Sequence, residues 1–97
     1  MKKLITLIAT IKVKEGKMDD AIEVLKEIAP KIKETESGCI EYLPHTVKGS
    51  NNTIIFYEKY KDSEALKLHS ANIPKSLAKL LPLLEPGMDV KTCFEIL

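Results

Sequence analysis

The chain lacks several features that mark specialised classes of protein. It has no excess of charge, because 15 basic and 14 acidic side chains are spread along its 97 residues. Proteins that bind nucleic acid or anionic membranes usually present a basic patch, so neither partner is predicted. No apolar run reaches the about 20 residues that a transmembrane helix needs. Neither a linker-like segment nor an internal repeat divides the chain, which predicts one domain over residues 1–97.

Cysteine is scarce as well. Cys39 and Cys93 lie far apart, with no CxxC spacing and no histidine cluster, a pattern that predicts reduced thiols rather than a zinc site or a disulfide framework. The charged N-terminus and the apolar residues 4–9 resemble a secretory signal. That run is short, lacks a small-x-small cleavage site and continues into strand-like alternation at residues 11–14. We therefore predict a cytoplasmic protein.

The first half of the chain alternates between strand and helix patterns. Strands are predicted over residues 3–13, 39–47 and 53–60, and a helix over about 18–35. Pro30 lies inside that helix and predicts a kink or a break. Gly38 follows it and suits a left-handed helix cap. In the second strand, Ile40 and Tyr42 are predicted to share one face, and Pro44 marks an edge strand or a bulge.

The second half repeats the pattern. Asp62 is a good N-cap for a helix that includes His69. Residues 70–72 weaken this helix, and Pro74 predicts a new short amphipathic helix over residues 73–84. Alternation from Val90 to Ile96 predicts a last strand that runs to the C-terminus.

The order strand, helix, strand, strand, helix, strand predicts a ferredoxin-like α+β sandwich of the split βαβ type. Right-handed crossovers give an antiparallel four-stranded sheet in the order 4-1-3-2. Helices cover only one face of such a sheet, yet Leu4 and Ile8 place apolar side chains on the other face. A two-fold homodimer that covers this second face is therefore predicted.

Most of the plausible chemistry falls between Thr53 and Asn72. A glutamate on an apolar strand, Glu58, has its ionised form disfavoured by burial, which makes it a candidate acid or base near neutral pH. Histidine, here His69, is the usual proton carrier in that range. Alternative interpretations stay open: Glu58 as an ordinary surface charge, His69 as a packing or capping residue, and Phe56 and Tyr60 as core aromatics.

Three segments together resemble the antibiotic biosynthesis monooxygenase (ABM) domains, a family that includes quinol monooxygenases. They are Lys14–Lys17, Glu36–Tyr42 and Ile55–Leu66 followed by His69. The resemblance implies a single ABM-like domain that forms a dimeric α/β barrel, with a pocket between the sheet and its helices. The chain departs from the family at Tyr60, where a tryptophan is typical, and at Pro74, where a second histidine is typical. The chain has no tryptophan, which disfavours the haem-degrading branch.

The resemblance implies a cofactor-free monooxygenase that acts on a quinol or related small aromatic, with no metal. In this interpretation His69 and Glu58 are catalytic and handle protons. The residues implied to bind substrate are Tyr60, Phe56, His45 and Asn72. Two alternatives are kept: an isomerase that acts on a small phosphorylated carbonyl compound by proton transfer, and a non-catalytic small-molecule-binding dimer.

Overall fold

A computed structural model describes residues 3–96 of the chain. The elements follow in the predicted order, and a short 3-10 turn at Leu81–Leu83 precedes the last strand. Their bounds are β1 Ile5–Lys12, α1 Met18–Thr35, β2 Cys39–Thr46, β3 Thr53–Tyr60, α2 Ser63–Ser76 and β4 Asp89–Cys93. The bounds of α1 and β3 are the predicted ones.

The four strands form one antiparallel sheet in the order β2-β3-β1-β4. This is the predicted 4-1-3-2 order read from the opposite edge, so the ferredoxin-like α+β fold is confirmed. β1 and β3 are the two central strands, and Leu7 pairs directly with Glu58. A glutamate therefore sits in the middle of the sheet, on the same face as a core leucine.

The core lies between the sheet and the two helices. The helix-facing side of β3 is buried as its alternation predicts, at Ile54, Phe56, Glu58 and Tyr60. α1 packs a buried stripe at helical spacing onto this face, formed by Ala21, Leu25, Ile28, Ala29 and Ile32. On the opposite face of the sheet, Ile8, Ile55 and Tyr57 are only partly buried.

The first helix is continuous, and one expectation for its end needs correction. α1 runs through Pro30 without a break. The left-handed cap at Gly38 is wrong, since its φ is not positive and the helix ends at Glu36 in an extended conformation. Gly38 is needed for space instead, because a Cβ at this position would overlap the Cβ of Ala65 on α2. The close approach of two elements, rather than a turn, explains this glycine.

The second strand differs from its predicted pattern at its start. β2 is an edge strand, as Pro44 indicates, but a register shift between Cys39 and Glu41 changes which side chains face the core. Ile40 is therefore 40% exposed, whereas Tyr42 is buried. The prediction that these two residues share a face is wrong, because a bulge adds a residue to one strand and breaks the alternation.

The second helix and the last strand also end differently from prediction. α2 continues through Pro74 to Ser76, so the separate helix over residues 73–84 is wrong. A proline near the end of a helix removes one backbone donor, and the N–H of Leu77 still bonds to the carbonyl of Ile73 at 2.9 Å. β4 ends at Cys93, which pairs with Thr6 near the start of β1, so the predicted extension of this strand through Ile96 is wrong.

Both cysteines carry free thiols, and they lie on the two opposite edge strands. This agrees with the predicted reduced state, since side chains on opposite edges of the sheet cannot approach to disulfide distance. Among residues 3–96, no helix has the length and apolarity required to cross a bilayer.

Candidate functional site

The histidine of α2 is buried against the sheet. Asp62 begins this helix by accepting a hydrogen bond from the backbone N–H of Ala65 at 2.9 Å, which caps its first turn. Two turns further on, His69 faces the sheet and is only 2% exposed. A neutral or charged imidazole buried to this extent requires hydrogen-bond partners inside the protein.

Four side chains form a continuous polar line through this part of the core. Nδ1 of His69 lies 2.8 Å from Oε1 of Glu36, and its Nε2 lies 3.6 Å from Oε1 of Glu58. The Tyr60 hydroxyl donates a hydrogen bond of 2.6 Å to the same Glu58 oxygen. Among the described residues, no buried side-chain nitrogen or oxygen lacks a partner. Two hydrogen bonds, Glu36–His69 and Tyr60–Glu58, are thus joined by a longer contact of 3.6 Å between His69 and Glu58.

Two aromatic rings restrict the imidazole plane. The Tyr60 and Tyr42 rings have their centroids 5.1 Å and 5.4 Å from that of His69, both at tilted angles. Phe56 extends this aromatic group, with its centroid 5.5 Å from that of Tyr42. Contacts on several sides leave the imidazole little freedom to rotate, so its two nitrogens keep their separate partners.

Burial shifts the protonation equilibrium of Glu58 toward the neutral acid. Its removal from water raises the pKa of this carboxyl above its ordinary value, and the nearby Glu36 charge adds to the rise. The hydrogen bond from Tyr60 and the proximity of His69 act in the opposite direction. Glu58 thus exchanges protons at higher pH than an exposed glutamate, as the sequence predicts for a carboxylate among apolar residues.

The neighbouring phenols and thiol stay protonated in the neutral pH range. Burial raises the pKa of the Tyr60 and Tyr42 phenols, and the Glu58 charge raises both further. Burial also raises the pKa of the Cys39 thiol to about 11. Tyr60 therefore acts as a hydrogen-bond donor, and Cys39 is not an activated nucleophile.

His69 and Glu58 line a cavity of about 120 Å³ between the sheet and α2. The wall is otherwise almost entirely apolar, and the more exposed Ser70, Met88 and Val90 lie at its edge. The remaining lining residues are Leu7, Ala9, Ile11, Tyr42, Phe56, Ile73, Leu77, Leu80 and Leu84. Two proton-exchanging groups at the wall of an apolar cavity are an arrangement suited to acid–base chemistry on a bound molecule.

Of the residues expected to bind substrate, one lines the His69 cavity and three do not. Phe56 lines the cavity, whereas Tyr60 is fully buried behind Glu58 and does not. Asn72 is partly buried on α2 and is not among the lining residues. His45 is exposed on β2, with Nδ1 2.8 Å from the carbonyl oxygen of Leu43. It lines a second, open groove of about 630 Å³ between α1 and β2, and His69 is not among the residues that line this groove.

Glu36 belongs to this network but was not predicted as a site residue. It is only 6% exposed, although it stands in a polar segment at the end of α1. Its burial comes from α2, whose His69 lies 33 positions away in the chain. No spacing pattern indicates such a contact. The sole signal in the sequence is the place of Glu36 at the head of the family-like segment Glu36–Tyr42.

Comparisons with known proteins agree with this architecture. A solved structure from Caulobacter crescentus, described as a "putative antibiotic biosynthesis monooxygenase", superposes with a TM-score of 0.86 at 24% identity, covering 98% of this chain and 92% of that one. A protein from Shewanella oneidensis superposes with a TM-score of 0.81 at 27% identity, covering 98% and 93%. Among curated proteins, no sequence match is found. The family model for antibiotic biosynthesis monooxygenase matches residues 4–73, which include Glu36, Glu58, Tyr60 and His69, and the chain therefore belongs to the antibiotic biosynthesis monooxygenase family.

Proposed function

We propose that this protein is a monooxygenase that acts on a quinol or a related small aromatic, with His69 and Glu58 as its proton-transfer groups. The observation that carries the proposal is the placement of these two side chains. Nε2 of His69 lies 3.6 Å from Oε1 of Glu58, and both side chains line one apolar cavity. The raised pKa of Glu58 supports a division of labour, in which the carboxylic acid gives protons and the imidazole accepts them.

The proposed reaction needs proton transfer at two points. First, Nε2 of His69 accepts the phenolic proton of the quinol, leaving an electron-rich anion that adds O₂ at a neighbouring ring carbon. His69 returns this proton to the peroxide anion, which gives a hydroperoxide and frees the base. The hydroperoxide then loses its ring C–H proton to His69 while the O–O bond breaks. The distal oxygen leaves with a proton from Glu58 as water, and transfer of the proton from His69 to Glu58 restores both groups. The quinol and O₂ thus become a hydroxyquinone and water, with one oxygen atom kept in the product.

The cavity volume favours a substrate with a single ring. About 120 Å³ is below the roughly 300–1,000 Å³ of common ligand pockets. It is comparable to the roughly 150 Å³ cavity that accommodates one benzene molecule in a protein core. A methyl-substituted benzenediol matches this space better than a naphthalenediol, which needs the wall formed by α2 and residues 77–88 to move.

Oxygen uptake tests the proposal. We expect the protein to accelerate the oxidation of methylhydroquinone by O₂, and that of menadiol to a lesser degree. When ¹⁸O₂ is supplied, one ¹⁸O atom should appear in water and the other in the hydroxyquinone. His69→Gln keeps a polar side chain beside Glu36 but removes the base, and should lower kcat by about 10²–10⁴-fold. His45→Gln is the matched control and should keep the parent rate, since His45 lies in the other groove. Uptake at the rate without protein for both quinols would contradict the proposal.

A proton-transfer isomerase is the second candidate, because the same pair of groups could move a proton between two carbons without oxygen. A phosphorylated substrate fits this site poorly. Among the described residues that line the cavity there is no lysine or arginine to bind a phosphate. Binding of a quinol without turnover would instead support a non-catalytic binding protein.

We also propose that two copies associate through the helix-free face of the sheet. Ile8 on β1 pairs with Tyr57 on β3, and the next pair along the same face brings in Ile55. These side chains are partly buried in one protomer, and Leu43 on the neighbouring strand is 41% exposed. A contiguous apolar patch on a sheet is best covered by the same patch of a second copy, related by a two-fold axis.

A further inference from the structure

We propose that Glu36 is the positioning residue of this site, and that it holds the proton of His69 on Nδ1. This inference rests on the proposed proton-transfer role of His69. Glu36 does not line the cavity, so it would not touch a substrate. Its influence would reach the reaction through the imidazole alone, which distinguishes its role from that of Glu58.

With Glu36 in its carboxylate form, the geometry permits one arrangement of hydrogen atoms. An ionised carboxylate can only accept hydrogen bonds, and Oε1 of Glu36 lies 2.8 Å from Nδ1 of His69. Nδ1 must therefore carry the proton. In neutral imidazole this leaves the lone pair on Nε2, which is the nitrogen on the side of Glu58. A base with its lone pair on the cavity side is the form that the proposed reaction needs.

The backbone holds Glu36 firmly enough for this purpose. Its N–H bonds to the carbonyl of Ile32 at 3.0 Å, and its carbonyl accepts the N–H of Cys39 at 2.9 Å. The residue is thus fixed between the last turn of α1 and the first residue of β2. With both backbone groups bonded and the side chain 6% exposed, the carboxylate has little freedom to leave the imidazole.

The charges around His69 reinforce the effect of this contact. The ionisable groups that face it are Glu36, Glu58, Tyr42 and Tyr60, none of which is basic. Both phenols stay protonated because burial raises their pKa. When His69 takes up a proton during the reaction, the adjacent Glu36 carboxylate stabilises the imidazolium, as a buried acid does for a catalytic histidine in general.

Nitrogen-15 spectra of the imidazoles test the inference without reference to activity. The chain has two histidines, and His45 serves as an internal reference because its Nδ1 contacts the Leu43 carbonyl at 2.8 Å. At alkaline pH, where histidine side chains are neutral, we expect His69 of the parent protein to be the Nδ1–H tautomer. Glu36→Gln can offer its amide N–H₂ to Nδ1, so the Nε2–H tautomer should become populated at His69, while the His45 signals stay unchanged.

The effect of Glu36→Gln on kcat can be measured separately from its effect on the tautomer of His69. With a quinol that the parent oxidises, Glu36→Gln should lower kcat by about 10-fold or more and leave KM within about 3-fold, since the residue does not line the cavity. A parent spectrum with His69 as the Nε2–H tautomer would overturn the inference, even if Glu36→Gln failed to fold. An unchanged tautomer and an unchanged kcat in the folded variant would do the same. Absence of quinol oxidation by the parent would contradict the proposed function and leave the tautomer test intact.

Discussion

Glu58 is the residue at which burial and charge are most clearly in conflict. It is 5% exposed and lies on a central strand among core side chains. Its one strong hydrogen bond comes from Tyr60 at 2.6 Å, and removal from water raises its pKa despite that bond. An apolar isostere would pack more easily at this position. A role in proton transfer would explain why a carboxyl occupies this position despite the free-energy cost of burying it.

The raised pKa of Glu58 predicts how stability changes with pH. Between the ordinary pKa of 4.5 and the raised value, the folded protein binds more protons than the unfolded chain. Its stability therefore falls as pH rises through this window. Glu58→Gln keeps an acceptor for the Tyr60 hydroxyl and cannot ionise. We expect its melting temperature to be increasingly higher than that of the parent as pH increases from 4 to 8.

Thermal unfolding across this pH range measures the difference, with Glu64→Gln as the control. Glu64 is exposed in the first turn of α2, so its substitution should give a difference that does not grow with pH. A constant difference between Glu58→Gln and the parent from pH 4 to 8 would refute the raised pKa of Glu58.

Among the secondary-structure elements, the approach of α2 to the end of α1 decides where the site forms. Gly38 lets α2 come close at Ala65, one turn before His69. The N–H of Lys61 also bonds to the carbonyl of Gly38 at 2.9 Å. These contacts bring His69 to Glu36. The spacing between helix and strand thus sets the hydrogen-bond distance on which the Glu36–His69 pair depends.

Gly38→Ala is expected to destabilise the protein by about 1–3 kcal/mol, the usual range for overpacking. The cause is overlap between the new Cβ and that of Ala65. Adding Ala65→Gly should recover part of this loss, although glycine in a helix itself costs about 1 kcal/mol relative to alanine. Urea unfolding of both single variants and the double variant measures the coupling. Ser37→Ala, at the exposed neighbouring position, is the control, and purely additive effects would exclude the overlap.

At the scale of the whole molecule, the two faces of the sheet differ, and we propose that a second copy covers one of them. The helices cover the face that carries Glu58, while no helix within residues 3–96 lies over the face that carries Ile8, Ile55 and Tyr57. Chains of about this length bury only a moderate share of their surface when they fold alone. Association of two copies would add to this burial and would leave the His69 cavity, on the opposite face of the sheet, accessible.

A charge on this face tests the proposed dimer. We expect sedimentation of the parent protein to give a dimer at micromolar concentration. Ile55→Lys should give a monomer, because the interface would then bury a lysine from each copy, and the two positive charges would repel each other. Leu68→Lys changes a 52% exposed residue on α2 and should remain dimeric. A monomeric parent protein at this concentration would rule out the proposal.

The sequence by itself determined the element order, the bounds of α1 and β3, and the family. These depend on local spacing, because the period of apolar residues and a capping residue such as Asp62 act over a few positions. The placement of Glu58 in the core follows from the same alternation. Local patterns were less reliable at Pro74, which predicts a helix break. In the structure, α2 loses one backbone hydrogen-bond donor at this proline and continues to Ser76.

Only the tertiary structure decided that Glu36 joins the site, that Tyr60 supports Glu58 from behind, and that His45 and Asn72 lie outside the cavity. The tertiary structure also decided the bulge in β2 and the close approach of Gly38 to Ala65. Each depends on distances between elements that are far apart in the chain, set by how α2 packs across the sheet. A contact between positions 36 and 69 leaves no periodic trace in one sequence, because both residues obey the local pattern of their own element.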